Sequence, residues 1–121
     1  MRVDKTESAI GVTRGTLAAD IAQADWNQVI GVGVNAAGLI VKGAGQSGVI
    51  GVLLVDKTNY KAGTRCDIFG NGSEVVGNDQ TVPFVAGTKY YATSAGVVNT
   101  TLASNTYIGF TLEATRLVVV I

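Results

Sequence analysis

One glycine-rich stretch of the chain has the spacing of a phosphate-binding motif. Residues Gly43-Ala44-Gly45-Gln46-Ser47-Gly48 match G-x-G-x-x-G, in which backbone N–H groups at the start of a helix hold the pyrophosphate of a dinucleotide. The next seven residues, Val49-Ile50-Gly51-Val52-Leu53-Leu54-Val55, include four β-branched residues and a glycine, which favours a strand. A crossover helix of about ten residues does not fit before the polar residues at 56–59. We therefore interpret the glycines as turn residues between short strands and predict no dinucleotide cofactor.

Other residue types that carry chemistry are scarce. The sequence has no histidine, and so lacks the usual general base and the commonest metal ligand. Its single cysteine, Cys66, alternates with Thr64 and Ile68, which is typical of a buried small hydrophobic residue and not of a nucleophile. The nine acidic residues are scattered, without the pairing that a glycosidase needs. The sequence thus predicts a protein that is not an enzyme, with no catalytic residues, no cofactor and no metal.

Charge and hydropathy limit the classes of partner. Nine basic residues balance nine acidic ones, and no basic cluster appears, which argues against nucleic acid as a partner. Only 15% of residues are charged, which suits a surface that is covered in an assembly. The longest apolar run is too short to span a membrane, and the first eight residues lack the apolar core of a signal peptide. We expect synthesis in a reducing cytoplasm, with no membrane and no small-molecule substrate as partner.

Residues 1–25 are predicted to form an N-terminal arm with at most one short helix. Residues 1–15 carry mixed charges without a sustained period, as an extended segment does. Between Thr16 and Trp26, the residues Leu17, Ile21 and Ala24 would share one helical face, and Thr16 could cap it. A coil connection is the alternative for this segment.

Residues 26–121 are predicted to form one β-domain rich in hairpins. Residues 64–68 alternate polar and apolar side chains up to the turn Gly70-Asn71-Gly72-Ser73, after which Glu74-Val75-Val76 is expected to pair back. The only proline, Pro83, places its segment at a sheet edge or a strand start. The last hairpin joins residues 107–112 to residues 117–121. The fold class is all-β: a small compact barrel or sandwich of about seven to nine short strands.

Two internal echoes support the same fold. The pattern Ile30-Gly31-Val32-x-Val34-x-Ala36-x-x-Leu39-Ile40-Val41 recurs as Ile108-Gly109-Phe110-x-Leu112-x-Ala114-x-x-Leu117-Val118-Val119. A second pattern, Tyr60-x-Ala62-Gly63-Thr64-Arg65, recurs as Phe84-x-Ala86-Gly87-Thr88-Lys89. Each pair is interpreted as one hairpin pattern used twice, in which a glycine turn leads into a strand. The repeats are too few for a solenoid.

Three stretches together resemble a known family of proteins. They are residues 38–52, the step Lys61-Ala62-Gly63-Thr64, and the closing Gly109-Phe110-Thr111-Leu112-Glu113-Ala114-Thr115-Arg116-Leu117-Val118-Val119. In their order of glycines and strands, across about residues 26–121, they are similar to the small capsid decoration (cement) proteins of tailed bacteriophages with HK97-type shells. The resemblance rests on strand and glycine patterns and not on a catalytic signature.

The resemblance implies a structural role on the outside of a phage head. It implies a β-rich domain, usually a homotrimer at three-fold positions, that binds the major capsid protein and stabilises the shell, with the arm lying against the capsid protein. Localisation would be the outer surface of the virion. On this basis the predicted capsid contacts are Val3, Thr6, Ile10, Val12 and, where the arm meets the domain, Trp26.

A small binding or carrier module is the alternative function. The residues Asp56-Lys57 after an apolar run are similar to the lysine hairpin of lipoyl and biotinyl carriers, although residues 56–61 form a longer polar loop. The tryptophan and the four tyrosines could instead form a carbohydrate-binding surface, and packing in a core or a subunit interface is the competing use of these aromatic residues.

Overall fold

The computed structural model describes residues 12–55, 60–76 and 83–121, which form two five-stranded antiparallel sheets and one short 3-10 helix, Gln23–Asp25. The first sheet has the strand order β1-β5-β4-β2-β3, and the second has the order β6-β10-β9-β7-β8. The ten strands are β1 Val12–Thr16, β2 Gln28–Val34, β3 Ile40–Lys42, β4 Gly51–Val55, β5 Arg65–Phe69, β6 Glu74–Val76, β7 Lys89–Ala92, β8 Val98–Asn99, β9 Thr106–Glu113 and β10 Arg116–Val119.

The first sheet curls until its two edge strands meet. Leu17, just after β1, forms a parallel bridge with Ile40 of β3, and the Ala18 N–H donates to the Ile40 carbonyl at 2.9 Å. The sheet therefore encloses a core of its own, which we call the barrel core. Its buried members are Leu17, Ile21, Ile30, Val32, Ile40, Leu53, Val55, Cys66 and Ile68.

The second sheet packs against the outside of this barrel. Successive side chains of a strand point to opposite faces, so β4 sends Leu53 and Val55 into the barrel core and Val52 to the other side. Val52 and Val29 meet the second sheet in a further cluster, the inter-sheet core. Its other buried members are Val49, Val75, Phe84, Tyr90, Ala92, Ile108, Leu117 and Val119. Because β2 and β4 are buried on both faces, they read as continuous apolar runs.

The predicted fold class is confirmed, and the described ranges contain ten strands, one more than the upper limit of nine in the prediction. The structure combines the two architectures that the sequence left open, since a curled sheet that closes on itself is stacked on an open one. The additional strand is β1, which lies in the segment that the sequence analysis placed in the arm. Its five residues pair with β5 from Val12 opposite Phe69 to Thr16 opposite Arg65.

The helix considered for residues 16–26 is replaced by an extended segment and a single 3-10 turn. Of the three residues expected to share a helical face, Leu17 and Ile21 are buried and Ala24 is exposed. The N–H groups of Leu17 and Ile21 donate to the Thr64 and Tyr60 carbonyls at 2.9 and 2.8 Å instead of within a helix. These bonds satisfy the backbone N–H groups while both side chains enter the barrel core.

The predicted pairing of β6 back onto β5 is wrong. The turn at residues 70–73 carries the chain from the first sheet to the second, where β6 pairs with β10, Val75 lying opposite Leu117. The physical reason is that the apolar side chains of the two strands are buried in different cores. Val75 of β6 lies in the inter-sheet core, whereas Ile68 of β5 lies in the barrel core.

Both internal echoes correspond to repeated structure. The first covers the hairpins β2–β3 and β9–β10, although five residues connect the former and two the latter, so that their registers differ. The second covers two glycine turns with the same hydrogen bonds. In the first turn, the Gly63 N–H donates to the Leu17 carbonyl and the Leu17 N–H donates to the Thr64 carbonyl, both at 2.9 Å. In the second turn, the Gly87 N–H donates to the Thr111 carbonyl and the Thr111 N–H donates to the Thr88 carbonyl, both at 3.0 Å.

Candidate functional site

The glycine-rich motif at residues 43–48 is a joint between the two sheets. Its N–H groups donate to backbone carbonyls: Gly43 to Gly31 at 2.8 Å, Ala44 to Ser94 at 2.9 Å, and Gln46 to Val34 at 2.9 Å. β4 follows it, and no helix does. A phosphate would have to compete with these bonds and would meet no helix N-terminus. The interpretation of the glycines as turn residues is thus consistent with the structure, because Gly43, Gly45 and Gly48 all have positive φ.

Cys66 lies in the barrel core, as the sequence predicted. The side chain is 3% exposed, and burial raises the pKa of its thiol above the ordinary value, with the Asp67 carboxylate adding to the effect. A raised pKa lowers the thiolate fraction at neutral pH, so the environment opposes nucleophilic reactivity. Among the described residues, no group of three or more potential ligands lies together as a metal site would require. Nor is any helix in these residues long and apolar enough to cross a membrane.

The outer face of the second sheet carries exposed and half-buried apolar side chains on neighbouring strands. Tyr90 and Ala92 point into the inter-sheet core, so Tyr91 points outward, and its register partner Tyr107 lies beside it with ring centroids 5.6 Å apart. A row across four strands joins Lys89, Phe110, Val118 and Glu74. Val76 and Leu112 complete this face and are each 51% exposed.

Three charged residues on this face are paired with one another. Arg116 donates through its two terminal nitrogens to Glu74 at 3.0 Å and Glu113 at 2.7 Å, and thereby connects β6, β10 and β9. Its Nε is buried without a hydrogen-bond partner among the described residues. The ion pairs hold the guanidinium in place, and two exposed apolar residues are its neighbours in the sheet, because Val76 pairs directly with Arg116 and Leu112 precedes Glu113. A fixed arginine among apolar and aromatic side chains is typical of a protein–protein contact.

β1 offers a second accessible surface. All five of its residues are exposed or half-buried, and none belongs to either core. It is held by its backbone pairing with β5 and by an exposed ion pair between Arg14 and Asp67, at 3.0 Å, which are register partners. Val12–Thr16 pair with β5 alone, whereas the chain meets Ile40 of β3 from Leu17 onward. A further strand could therefore add only along the part of β1 that precedes Leu17.

The predicted capsid-contact residues fall in different places. Val12 is the first residue of β1 and is 39% exposed, whereas Val3, Thr6 and Ile10 lie outside the described residues. Trp26 directly follows the 3-10 helix, and its indole packs against the barrel core. The Asp25–Lys42 ion pair, at 2.8 Å and largely buried, fixes the neighbouring turn to β3. The described structure thus gives Trp26 a packing role, and its predicted capsid contact stays a prediction.

The outer face of the second sheet was not predicted as a site from the sequence. From the sequence, Tyr91 and Tyr107 are candidates only for a carbohydrate-binding surface or for packing. Alternation in residues 89–92 and 116–119 indicates which side chains leave the core, but the sheet order that brings the four strands together depends on long-range pairing.

Comparison with known proteins supports the fold. A solved structure of a chain from Mycobacterium phage Patience superimposes with a TM-score of 0.77, and the alignment covers 98% of this chain and 95% of that chain at 21% sequence identity. No protein-family model and no curated protein matches the sequence. At this level of identity, the two chains share a fold over almost their whole lengths.

Proposed function

We propose that this protein is a structural component of a tailed-phage virion that binds the outside of the capsid and stabilises the shell. The observation that carries the proposal is the fold shared with a phage chain along almost the full length of both chains. The family resemblance of residues 26–121 points the same way. The balanced charge and the apolar outer face of the second sheet suit a protein whose surface is covered in an assembly.

The partner of the N-terminal segment in this proposal is the major capsid protein. Residues 1–11 lead directly into β1, whose five residues pair only with β5 and whose side chains take no part in either core. An extended peptide beside a sheet edge gains affinity through backbone hydrogen bonds and needs no dedicated pocket. Val3, Thr6, Ile10 and Val12 are the side chains assigned to this contact.

The partner of the second sheet's outer face is another copy of the chain. The internal pairing of Arg116 with Glu74 and Glu113 leaves this face little net charge with which to attract nucleic acid or a strongly charged surface. Apolar and aromatic side chains with fixed internal charges suit a lasting contact between subunits. In a trimer, this face would meet a different surface of the neighbouring copy, because contacts around a three-fold axis are heterologous.

Binding to empty expanded shells of the phage that encodes the protein tests the function. We expect saturable co-sedimentation of the full chain and a higher melting temperature of the shells. Deletion of residues 1–11 should weaken binding. A variant with the same eleven residues in shuffled order is the control, because it keeps the length of the segment and changes only its sequence. The deletion must stop at residue 11, because removing 12–16 would take β1 out of the barrel.

Three results would contradict the proposal or part of it. Absence of binding by the full chain would refute the capsid function. Full binding by the deletion variant would refute the assignment of the N-terminal segment alone. An intact mass with a modified lysine, or tryptophan fluorescence quenched by sugars, would favour the carrier or carbohydrate-binding alternative.

A further inference from the structure

The turn between the two sheets contains an Asn-Gly pair, Asn71-Gly72, at which a spontaneous covalent modification is chemically favourable. Gly72 has no side chain to shield its backbone nitrogen, and its φ of 90° belongs to the region that favours glycine. Asn71 is exposed. The other asparagines among the described residues precede residues with side chains, namely Gln28, Ala36, Thr100 and Thr106.

The end of the second sheet holds both reacting groups of this pair. The Gly72 N–H donates to the Val119 carbonyl at 2.9 Å, and the Asn71 Oδ1 accepts from the Ile121 N–H at 3.1 Å. A third bond, from the Val119 N–H to the Ser73 carbonyl at 2.8 Å, fixes the same turn against the end of β10. The nitrogen that would attack and the amide that would be attacked are thus each bound to residues 119–121.

We propose that Asn71 is a latent deamidation site and that its hydrogen-bonded contact with residues 119–121, here called the guard, slows the reaction. In the reaction, the Gly72 nitrogen loses its proton and bonds to Cγ of Asn71, while the Cγ–Nδ2 bond breaks and ammonia leaves with a proton. Water then opens the cyclic imide to aspartate or isoaspartate. One water is consumed and one ammonia is released, and no oxidant or reductant takes part.

The guard acts because the attacking nitrogen must give up its hydrogen bond before it can react. While Gly72 donates to Val119, its proton is retained and its lone pair is not directed at the side chain of Asn71. Local opening of residues 119–121 releases both groups together. The reaction rate therefore reports the opening of this end of the sheet.

Modification would alter the connection between the sheets. Aspartate at position 71 adds a negative charge three residues before Glu74, whereas isoaspartate adds an atom to the backbone of a turn that three hydrogen bonds fix to residues 119–121. Because the turn positions β6 against β10, isoaspartate would disturb the pairing of Val75 with Leu117. This inference does not depend on the proposed function.

The experiment measures deamidation of Asn71 by peptide mass mapping in mildly alkaline buffer. The intact protein is compared with a synthetic peptide of residues 69–74, and Asn99 serves as an internal reference. We expect the intact protein to react at least about tenfold more slowly than the peptide, because reaction requires local opening. Equal rates would overturn the proposal.

Two variants at one exposed position test the guard itself. Ile121→Pro removes the N–H that Asn71 accepts, whereas Ile121→Ala keeps it and removes only side-chain atoms. Loss of one hydrogen bond should make the proline variant react about two- to tenfold faster than the alanine variant. Equal rates in the two variants, with unchanged thermal unfolding, would refute the role assigned to Ile121.

Discussion

Thr111 is the buried polar residue that holds the segment before β7 against β9. It is 1% exposed, and its hydroxyl donates to the Val85 carbonyl while it accepts from the Thr88 N–H at 3.0 Å. The equivalent position in the other glycine-turn repeat is Leu17, which supplies only backbone bonds. The two glycine turns therefore have the same backbone hydrogen bonds, although the residue that contacts each turn is polar in one case and apolar in the other.

Replacing Thr111 with valine should destabilise the fold. The change preserves shape but leaves the Thr88 N–H and the Val85 carbonyl without their side-chain partner, which costs about 1–3 kcal/mol of unfolding free energy. Urea denaturation measures the loss. The matched control is Thr100→Val at an exposed position, which should stay within about 0.5 kcal/mol. Equal stabilities of the two variants would contradict the role of the hydroxyl.

Cys66 makes stability depend on pH in the alkaline range. Burial raises the pKa of its thiol in the folded state, so the thiolate forms more readily in the unfolded chain. Below the ordinary pKa of a thiol, about 8.5, the buried thiol makes its full contribution to the free energy of unfolding. That contribution falls as the pH rises from there through the folded-state pKa.

The Cys66→Ala variant isolates this contribution. We expect the unfolding free energy of the unmodified chain to decrease more steeply above about pH 8.5 than that of the variant, because only the former gains a thiolate on unfolding. Urea titrations at several pH values give both curves, and tyrosines and lysines cancel in the difference. Parallel curves would contradict a raised thiol pKa.

The joint between the sheets depends on glycines at close backbone approaches. The Gly31 N–H donates to the Gly96 carbonyl and the Ala44 N–H to the Ser94 carbonyl, both at 2.9 Å. A Cβ on Gly96 would lie 2.6 Å from the Gly31 oxygen and from the Gly43 nitrogen. The motif that resembles a phosphate loop is thus glycine-rich because two backbones meet there.

Alanine substitutions at two glycines separate backbone strain from this close approach. Gly38 has a φ of 80°, and the space that a Cβ would occupy is open, so Gly38→Ala should cost about 1–2 kcal/mol from the left-handed backbone alone. Gly43 has a φ of 98°, and a Cβ there would collide with the Ser94 carbonyl. Gly43→Ala should therefore cost clearly more, as measured by thermal unfolding. Similar losses of stability in both variants would contradict this prediction, because they would show that the backbone around Gly43 accommodates a Cβ without an additional free-energy cost.

Self-association through the second sheet is the prediction for the molecule as a whole. Leu112→Glu places a charge in the apolar outer face beside Glu113, and should dissociate the proposed trimer into monomers in light scattering. The control is Leu102→Glu in the loop between β8 and β9, where the leucine is 63% exposed and lies outside this face. A trimer that survives Leu112→Glu, or a monomeric unmodified chain, would contradict the assigned interface.

The local patterns were sufficient for the fold class and for most turns. Alternation in residues 64–68, the glycine turns and the β-branched run after Gly48 predicted strands where strands occur, since these signals depend on neighbours in the chain. The burial of Cys66 was predicted for the same reason. The repeated Gly-Thr step also indicated two equivalent turns, which the hydrogen bonds confirm.

Long-range pairing decided which sheet each strand joins. No local signal distinguishes a β5–β6 hairpin from a turn that crosses between sheets, because either leaves Val75 in an apolar environment. Likewise, residues 12–16 have no apolar period, and they form a strand because β5 offers them a partner edge. The outer face of the second sheet exists only through that sheet order, which the free energy of burying both cores selects among many locally acceptable pairings.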